Sequence, residues 1–239
     1  VAVPEHLKPF VLSVEPVAPE RHGPVDLYLP EATRPSPAIV FVHGGPIPAE
    51  LRPTPRDWPV YQGYGSLAAT RGVVGVTVDH GLHNSADYPR AAANVTAAVR
   101  TAQADPRVDP DRIALWFFSG GGLLLADWLH TTPDWLRCVA ATYPLLAPLP
   151  DRPVDPRFRP AEALAMAGTL PIVLTRVGLE RPQLADRVEA FVAAADACGA
   201  RLEIIDVPHG RHGFDMLDHT DESRKAVEQA FDRVITALT

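Results

Sequence analysis

The sequence predicts an α/β fold with a mostly parallel central sheet, an antiparallel N-terminal edge and helices on both faces. Three observations lead there. Solid apolar runs recur at 38–42 (AIVFV), 73–78 (VVGVTV) and 113–118 (IALWFF), as expected of strands buried on both faces. Segments with apolar residues at helical spacing separate and follow them, the mark of a parallel sheet. Two early segments, 10–15 (FVLSVE) and 25–29 (VDLYL), alternate in polarity with no helix between them, which reads as an antiparallel edge.

The elements follow in order. After the edge and AIVFV come a Pro-rich loop and a helix around 60–70. VVGVTV is the next strand, and residues 88–104 form a helix. Asp109 to Arg112 makes a turn into IALWFF, which runs straight into Ser119 and three glycines, followed by a helix to about His130. RCVAATY (137–143) is a strand, and 144–165 is a Pro-rich excursion that reads as a small cap. PIVLTRV (171–177) and RLEIIDV (201–207) are strands, with helices at 182–198 and 221–238. No internal repeat and no linker divides residues 1–239, so the expectation is one α/β domain.

Composition narrows the function. Apolar residues make up 46% of 239 and charged residues 21%, enough for a substantial core. The net charge of −7 has both signs interspersed and no basic patch, which argues against nucleic acid as a partner. No apolar run is long enough to span a bilayer. The opening VAVPEHLKPF has neither the basic nor the apolar region of a signal peptide. Cys138 and Cys198 sit in apolar surroundings without a CxxC, so they read as two buried, reduced thiols of a cytoplasmic protein, monomeric or homodimeric.

In a parallel sheet, sites form at the carboxyl ends of strands. His43-Gly44-Gly45-Pro46 follows AIVFV, Asp79, His80 and His83 follow VVGVTV, and Ser119 follows IALWFF. Glu180 comes after PIVLTRV, and His209 and His212 after RLEIIDV. Serine, carboxylate and histidine, each behind its own strand and in that order, match the chain order of an α/β-hydrolase triad. The aromatics before Ser119 belong to the strand, and the glycines after it leave room for a strained turn that lifts the hydroxyl above the sheet. The Gly120 N–H then stands where an oxyanion forms. The usual elbow is G-x-S-x-G; Phe117 replaces its first glycine and Gly121 keeps the second. A Phe two residues before the nucleophile must find room of its own.

FVHGGP at 41–46, FFSGGG at 117–122, VGLERP at 177–182 and HGRHGFD at 209–215 together resemble the dienelactone-hydrolase-like and small carboxylesterase branch of the α/β-hydrolases. The resemblance runs from about residue 25 to the end. It implies Ser119 as nucleophile, His212, followed by Gly-Phe, as base, and Glu180 as the acid that orients it. Dienelactone hydrolases use a cysteine nucleophile, so Ser119 points to ordinary esters or lactones of small or medium size. The second oxyanion donor falls to Gly45 or Ile47, because Pro46 has no N–H. His43, His80, Trp58 and Phe118 are the candidate substrate-binding residues. His43 also reads as a structural residue that fixes its loop, and Trp58, Tyr61 and Tyr64 as either a substrate wall or a satellite cluster.

His80 and His83 have the spacing of a metal pair but no evident third ligand, so neither a metal nor another cofactor is expected. Asp215, three residues after His212, competes with Glu180 for the acid but reads rather as a residue that begins or caps the turn after HGF. The same triad also serves acyl transfer, lyase or cyclisation chemistry, or persists in a non-catalytic ligand-binding homologue.

Overall fold

The strands lie in a single twisted sheet whose order along the edge is β1-β2-β4-β3-β5-β6-β7-β8. In this computed structural model, residues 3–239 are described; Val1 and Ala2, the first two residues of the opening segment, lie outside them. β1 (Glu20–His22) and β2 (Val25–Tyr28) form the antiparallel edge, and β2 pairs antiparallel with β4 (Val74–Val78). β3 (Ser36–Val42), β5 (Val108–Phe118), β6 (Leu136–Thr142), β7 (Ile172–Leu179) and β8 (Leu202–Arg211) complete the sheet, all parallel.

Among the described residues seven α-helices join them: α1 (Pro59–Thr70), α2 (Tyr88–Ala104), α3 (Leu125–Thr131), α4 (Pro160–Ala163), α5 (Pro182–Cys198), α6 (Phe214–Leu217) and α7 (Asp221–Leu238). The longest have local causes at their ends. The Thr220 side chain accepts from the Ser223 N–H and caps α7, and Gly199 ends α5 in the left-handed conformation that glycine tolerates.

Side-chain alternation in β5 divides the core. Ile113, Leu115 and Phe117 face the helices α2, α3 and α5, whereas Ala114, Trp116 and Phe118 face α1 and α7. That places Phe117, fully buried, among aliphatic residues of the first layer and answers where it finds room. On the other face Trp116 stacks on Phe118 and packs against Tyr64 and Phe231.

Three expectations need correction. Residues 10–15 are not a strand. Phe10 and Val11 are buried against α1, where Phe10 lies over Gly63 and Tyr64, and the Val17 N–H donates to Ser66 of the same helix. The alternation reflects packing on a helix, and β1 takes the sheet edge instead. The Asp109–Arg112 turn is an irregularity inside β5: Ser36 pairs with Val108 but Ala38 with Ile113, and the extra residues are held by an Arg112–Asp109 ion pair. Cys138 is buried, but Cys198 is exposed in the last turn of α5, with its thiol directed to the Ala195 carbonyl; both are unpaired.

Candidate active site

Ser119 stands at the carboxyl end of β5 with φ +48°, a left-handed conformation that costs a non-glycine residue of order 1–3 kcal/mol. Close backbone approach explains the glycines that follow. A Cβ on Gly120 would come within 1.8 Å of the Gly45 carbonyl oxygen, and one on Gly121 within 2.6 Å of the His43 carbonyl oxygen. The turn is thus pressed directly onto the loop after β3. The Ser119 and Gly120 carbonyls are both engaged, accepting from the Leu145 N–H at 2.8 Å and the Tyr88 hydroxyl at 2.8 Å.

Ser119 Oγ lies 2.7 Å from His212 Nε2, and His212 Nδ1 lies 2.5 Å from Glu180 Oε2. The strands explain the juxtaposition. Leu179 of β7 pairs with Arg211 of β8, so the next residue of each chain segment, Glu180 and His212, leaves the sheet at the same level. The second Glu180 oxygen accepts the Arg181 N–H at 2.7 Å. Burial pushes the Glu180 carboxyl up, but the hydrogen bond to His212, its charge, and Arg181 outweigh it, and the net shift is downward. His209, by contrast, points to solvent and pairs with Glu222, and Asp186 is exposed on α5.

The Gly120 N–H lies in the first turn of a helix, where no intrahelical acceptor exists. Among the described residues the Gly45 N–H has no acceptor either, and both glycines line the cavity at Ser119. Ile47 is a correction: its N–H already donates to the Leu82 carbonyl at 2.9 Å and is not available as an oxyanion donor.

The cavity at Ser119 holds about 120 Å³. Gly45, Pro46, Ser85, Tyr88, Ser119, Gly120, Leu123 and Leu184 line it. Leu145, Pro148, Leu149 and Val154 of the Pro-rich excursion contribute a further stretch of its wall, and Arg152 and Arg181 are its charged members. Arg187 of α5 fixes that wall by donating to the Pro148 carbonyl.

None of the four expected substrate-binding residues lines this cavity. Phe118 faces the opposite core layer, and Trp58 packs near Tyr61 with its indole N–H on the Pro53 carbonyl. His43 and His80 are buried and stacked, ring centroids 3.7 Å apart. His80 donates from Nε2 to the His43 carbonyl, which fixes the loop after β3 from behind. Burial lowers His43 to about 4 and His80 well below the ordinary histidine range, so both are neutral at pH 7. His83 donates from Nδ1 to the Ile47 carbonyl at 2.8 Å. Among the described residues no group of three His, Cys, Asp or Glu side chains is placed to hold a metal ion.

Asp215 is also a correction. It is fully buried in α6, and its carboxylate accepts from the Tyr64 and Tyr143 hydroxyls rather than capping a turn. This cluster and the cavity wall were missed from sequence. Their partners lie far apart in the chain, and the Pro-rich composition of 144–165 was the one available signal for the wall.

No family model and no curated protein matches the chain. Solved structures do. One neighbour is esterase 2 of Thermogutta terrifontis phosphonylated by sarin, 19% identical, with TM-score 0.71 and 89% of each chain covered. The same esterase with butyrate bound is 20% identical, with TM-score 0.70 over 89% of this chain and 88% of that one. DphMB1 is 22% identical, with TM-score 0.68 over 95% of this chain and 89% of that one. Identity at this level carries the architecture and not the activity. Eight mostly parallel strands, the antiparallel edge and this shared path of the backbone show that the chain has the α/β-hydrolase fold.

Proposed function

We propose that this chain is a serine hydrolase of carboxylic esters or lactones, working through an acyl-enzyme. The observation that carries the reading is the unbroken contact from Ser119 Oγ through the His212 ring to Glu180, at 2.7 and 2.5 Å, beside a cavity that contains Ser119 itself. Ser119 Oγ attacks the ester carbonyl while His212 Nε2 takes its proton. The Gly120 and Gly45 N–H groups hold the oxyanion of the tetrahedral intermediate. Glu180 keeps Nδ1 protonated and stabilises the imidazolium. His212 then returns the proton to the departing alkoxide, and water attacks the acyl-enzyme by the same path in reverse. The chemistry uses only the chain's own groups and no cofactor.

The small cavity favours short acyl groups, and the esterase neighbours, among them one with butyrate bound, support the same class. A place among dienelactone-hydrolase-like enzymes rests on the motifs at 41–46, 117–122, 177–182 and 209–215, with serine in place of cysteine. Two unpaired thiols suit a reducing, cytoplasmic setting.

The test is labelling with a fluorophosphonate probe together with turnover of a p-nitrophenyl acyl series. We expect one label on Ser119, faster turnover of the shorter esters, and loss of about 10⁴ or more in kcat in Ser119→Ala with the fold intact. Labelling without hydrolysis would move the chain to acyl transfer or binding, and absence of both would remove the reading.

A further inference from the structure

A second carboxylate stands next to the triad with no part in the scheme above. Asp215 follows His212 by three residues and is fully buried. Its Oδ1 accepts from the Tyr143 hydroxyl at 2.8 Å and its Oδ2 from the Tyr64 hydroxyl at 3.0 Å. Tyr64 comes from α1 and Tyr143 from the end of β6, so three separate parts of the chain converge on one anion. Tyr143 also packs its ring 4.8 Å from that of His212 and takes φ +38°, a conformation that a tyrosine holds only where its surroundings require it. The Asp215 carbonyl accepts the Val11 N–H at 2.8 Å, which closes the N-terminal segment over the cluster.

We propose that Asp215, gripped by Tyr64 and Tyr143, is a positioning residue for the triad: a buried anion that sets Tyr143 against the His212 ring and favours the imidazolium formed during turnover. The inference rests on His212 being the base. The argument is one of charge. A buried carboxylate is costly without a cation, and among the described residues neither lysine nor arginine pairs with Asp215. The ionisable groups facing it are Tyr61 and Tyr64 from α1, Tyr143 after β6 and His212 after β8. Only His212 becomes a cation. Two hydroxyl donors keep the carboxylate ionised and oriented, while the charge that complements it arises during catalysis. Burial pushes Asp215 up, the hydroxyls and His212 pull the other way, and the net value is about 6, so the group is still mostly an anion at pH 7. Tyr143 would be a poor choice for mere packing, since phenylalanine fills the same space without a polar atom to satisfy.

The experiment compares Asp215→Asn, Tyr143→Phe and Tyr64→Phe with the parent chain, on p-nitrophenyl acetate. Rates are normalised to active sites titrated with a fluorophosphonate, so misfolded protein does not count. In Asp215→Asn kcat should fall about tenfold or more with KM within about twofold, and the acid limb of the kcat/KM profile should move to lower pH by about half a unit or more. Tyr143→Phe keeps the ring and the anion, so kcat should fall in the same way with a smaller movement of the limb. Tyr64→Phe, remote from His212, should lose less than either. Unchanged kcat and an unchanged acid limb in Asp215→Asn, with only lower thermal stability, would overturn the inference and leave a purely structural cluster. If Asp215→Asn does not fold, Tyr143→Phe decides: wild-type kcat in that variant overturns it equally. Failure of the parent chain to be labelled or to turn over would instead refute the triad reading, and this inference with it.

Discussion

Leu179 and Arg211 face one another as the last registered pair of β7 and β8, and the residues that follow them, Glu180 and His212, meet at 2.5 Å between Oε2 and Nδ1. Two parallel neighbours that end level with each other deliver a carboxylate and an imidazole to one point without any long loop. The spare oxygen of Glu180 is occupied by the Arg181 N–H.

Glu180→Gln tests this relationship. A neutral amide neither stabilises the imidazolium nor selects the tautomer with a proton on Nδ1. We expect kcat to fall by about 10² to 10⁴, with KM within severalfold and the melting temperature close to that of the parent. Retention of more than about a tenth of wild-type kcat would take the acid role away from Glu180.

Gly121→Val tests the elbow. The added Cβ would meet the His43 carbonyl oxygen at 2.6 Å, backbone against side chain, so the loop after β3 must move. That loop carries Gly45, the proposed oxyanion donor. Activity should drop by about 10² or more and stability by about 1–3 kcal/mol, read from steady-state kinetics and urea unfolding. A variant as active and as stable as the parent would contradict the close approach.

If His212 is the base, kcat/KM should fall toward acid pH and level off at higher pH, because only a neutral imidazole accepts the Ser119 proton. His43 and His80 are held low by burial and remain neutral, so they contribute no second limb between pH 6 and 8. A flat profile from pH 5 to 8 with acylation rate-limiting would exclude His212 as base.

Asp215 makes a separate prediction about stability. Its pKa is raised on folding, from 3.8 to about 6. The folded chain therefore binds its proton more tightly than the unfolded chain. The ionised form costs the fold about 3 kcal/mol at pH 7.5, and the cost is relieved as pH falls through about 6 toward 3.8. Asn does not titrate, so it serves as the reference. Urea unfolding should show the parent gaining on Asp215→Asn by about 1 kcal/mol between pH 7.5 and 5. A difference that stays constant or moves the other way would place the carboxyl in a less buried setting.

Much of the fold was legible because its causes are local. The helices at 182–198 and 221–238 follow from apolar spacing and end signals, and AIVFV, VVGVTV and IALWFF follow from uninterrupted apolar runs between turn residues. Where pattern and cause parted, the sequence misled: FVLSVE alternates, yet Phe10 rests on α1 and the Val11 N–H bonds to the Asp215 carbonyl.

Ser119, Glu180 and His212 stood out in the sequence as reactive residues placed after strands, and the fold brings their side chains within hydrogen-bond reach of one another. What tertiary structure alone decided was their surroundings. The Ile47 N–H is taken up by Leu82, the four candidate substrate-binding residues are buried away from the cavity, and part of its wall comes from the excursion after β6. Asp215 looked like a turn residue because its two partners lie 72 and 151 positions away. Periodicity reports which face of an element is buried. It carries no information about which distant side chain fills the space opposite, since that depends on strand order, register and the path of each crossover over the sheet.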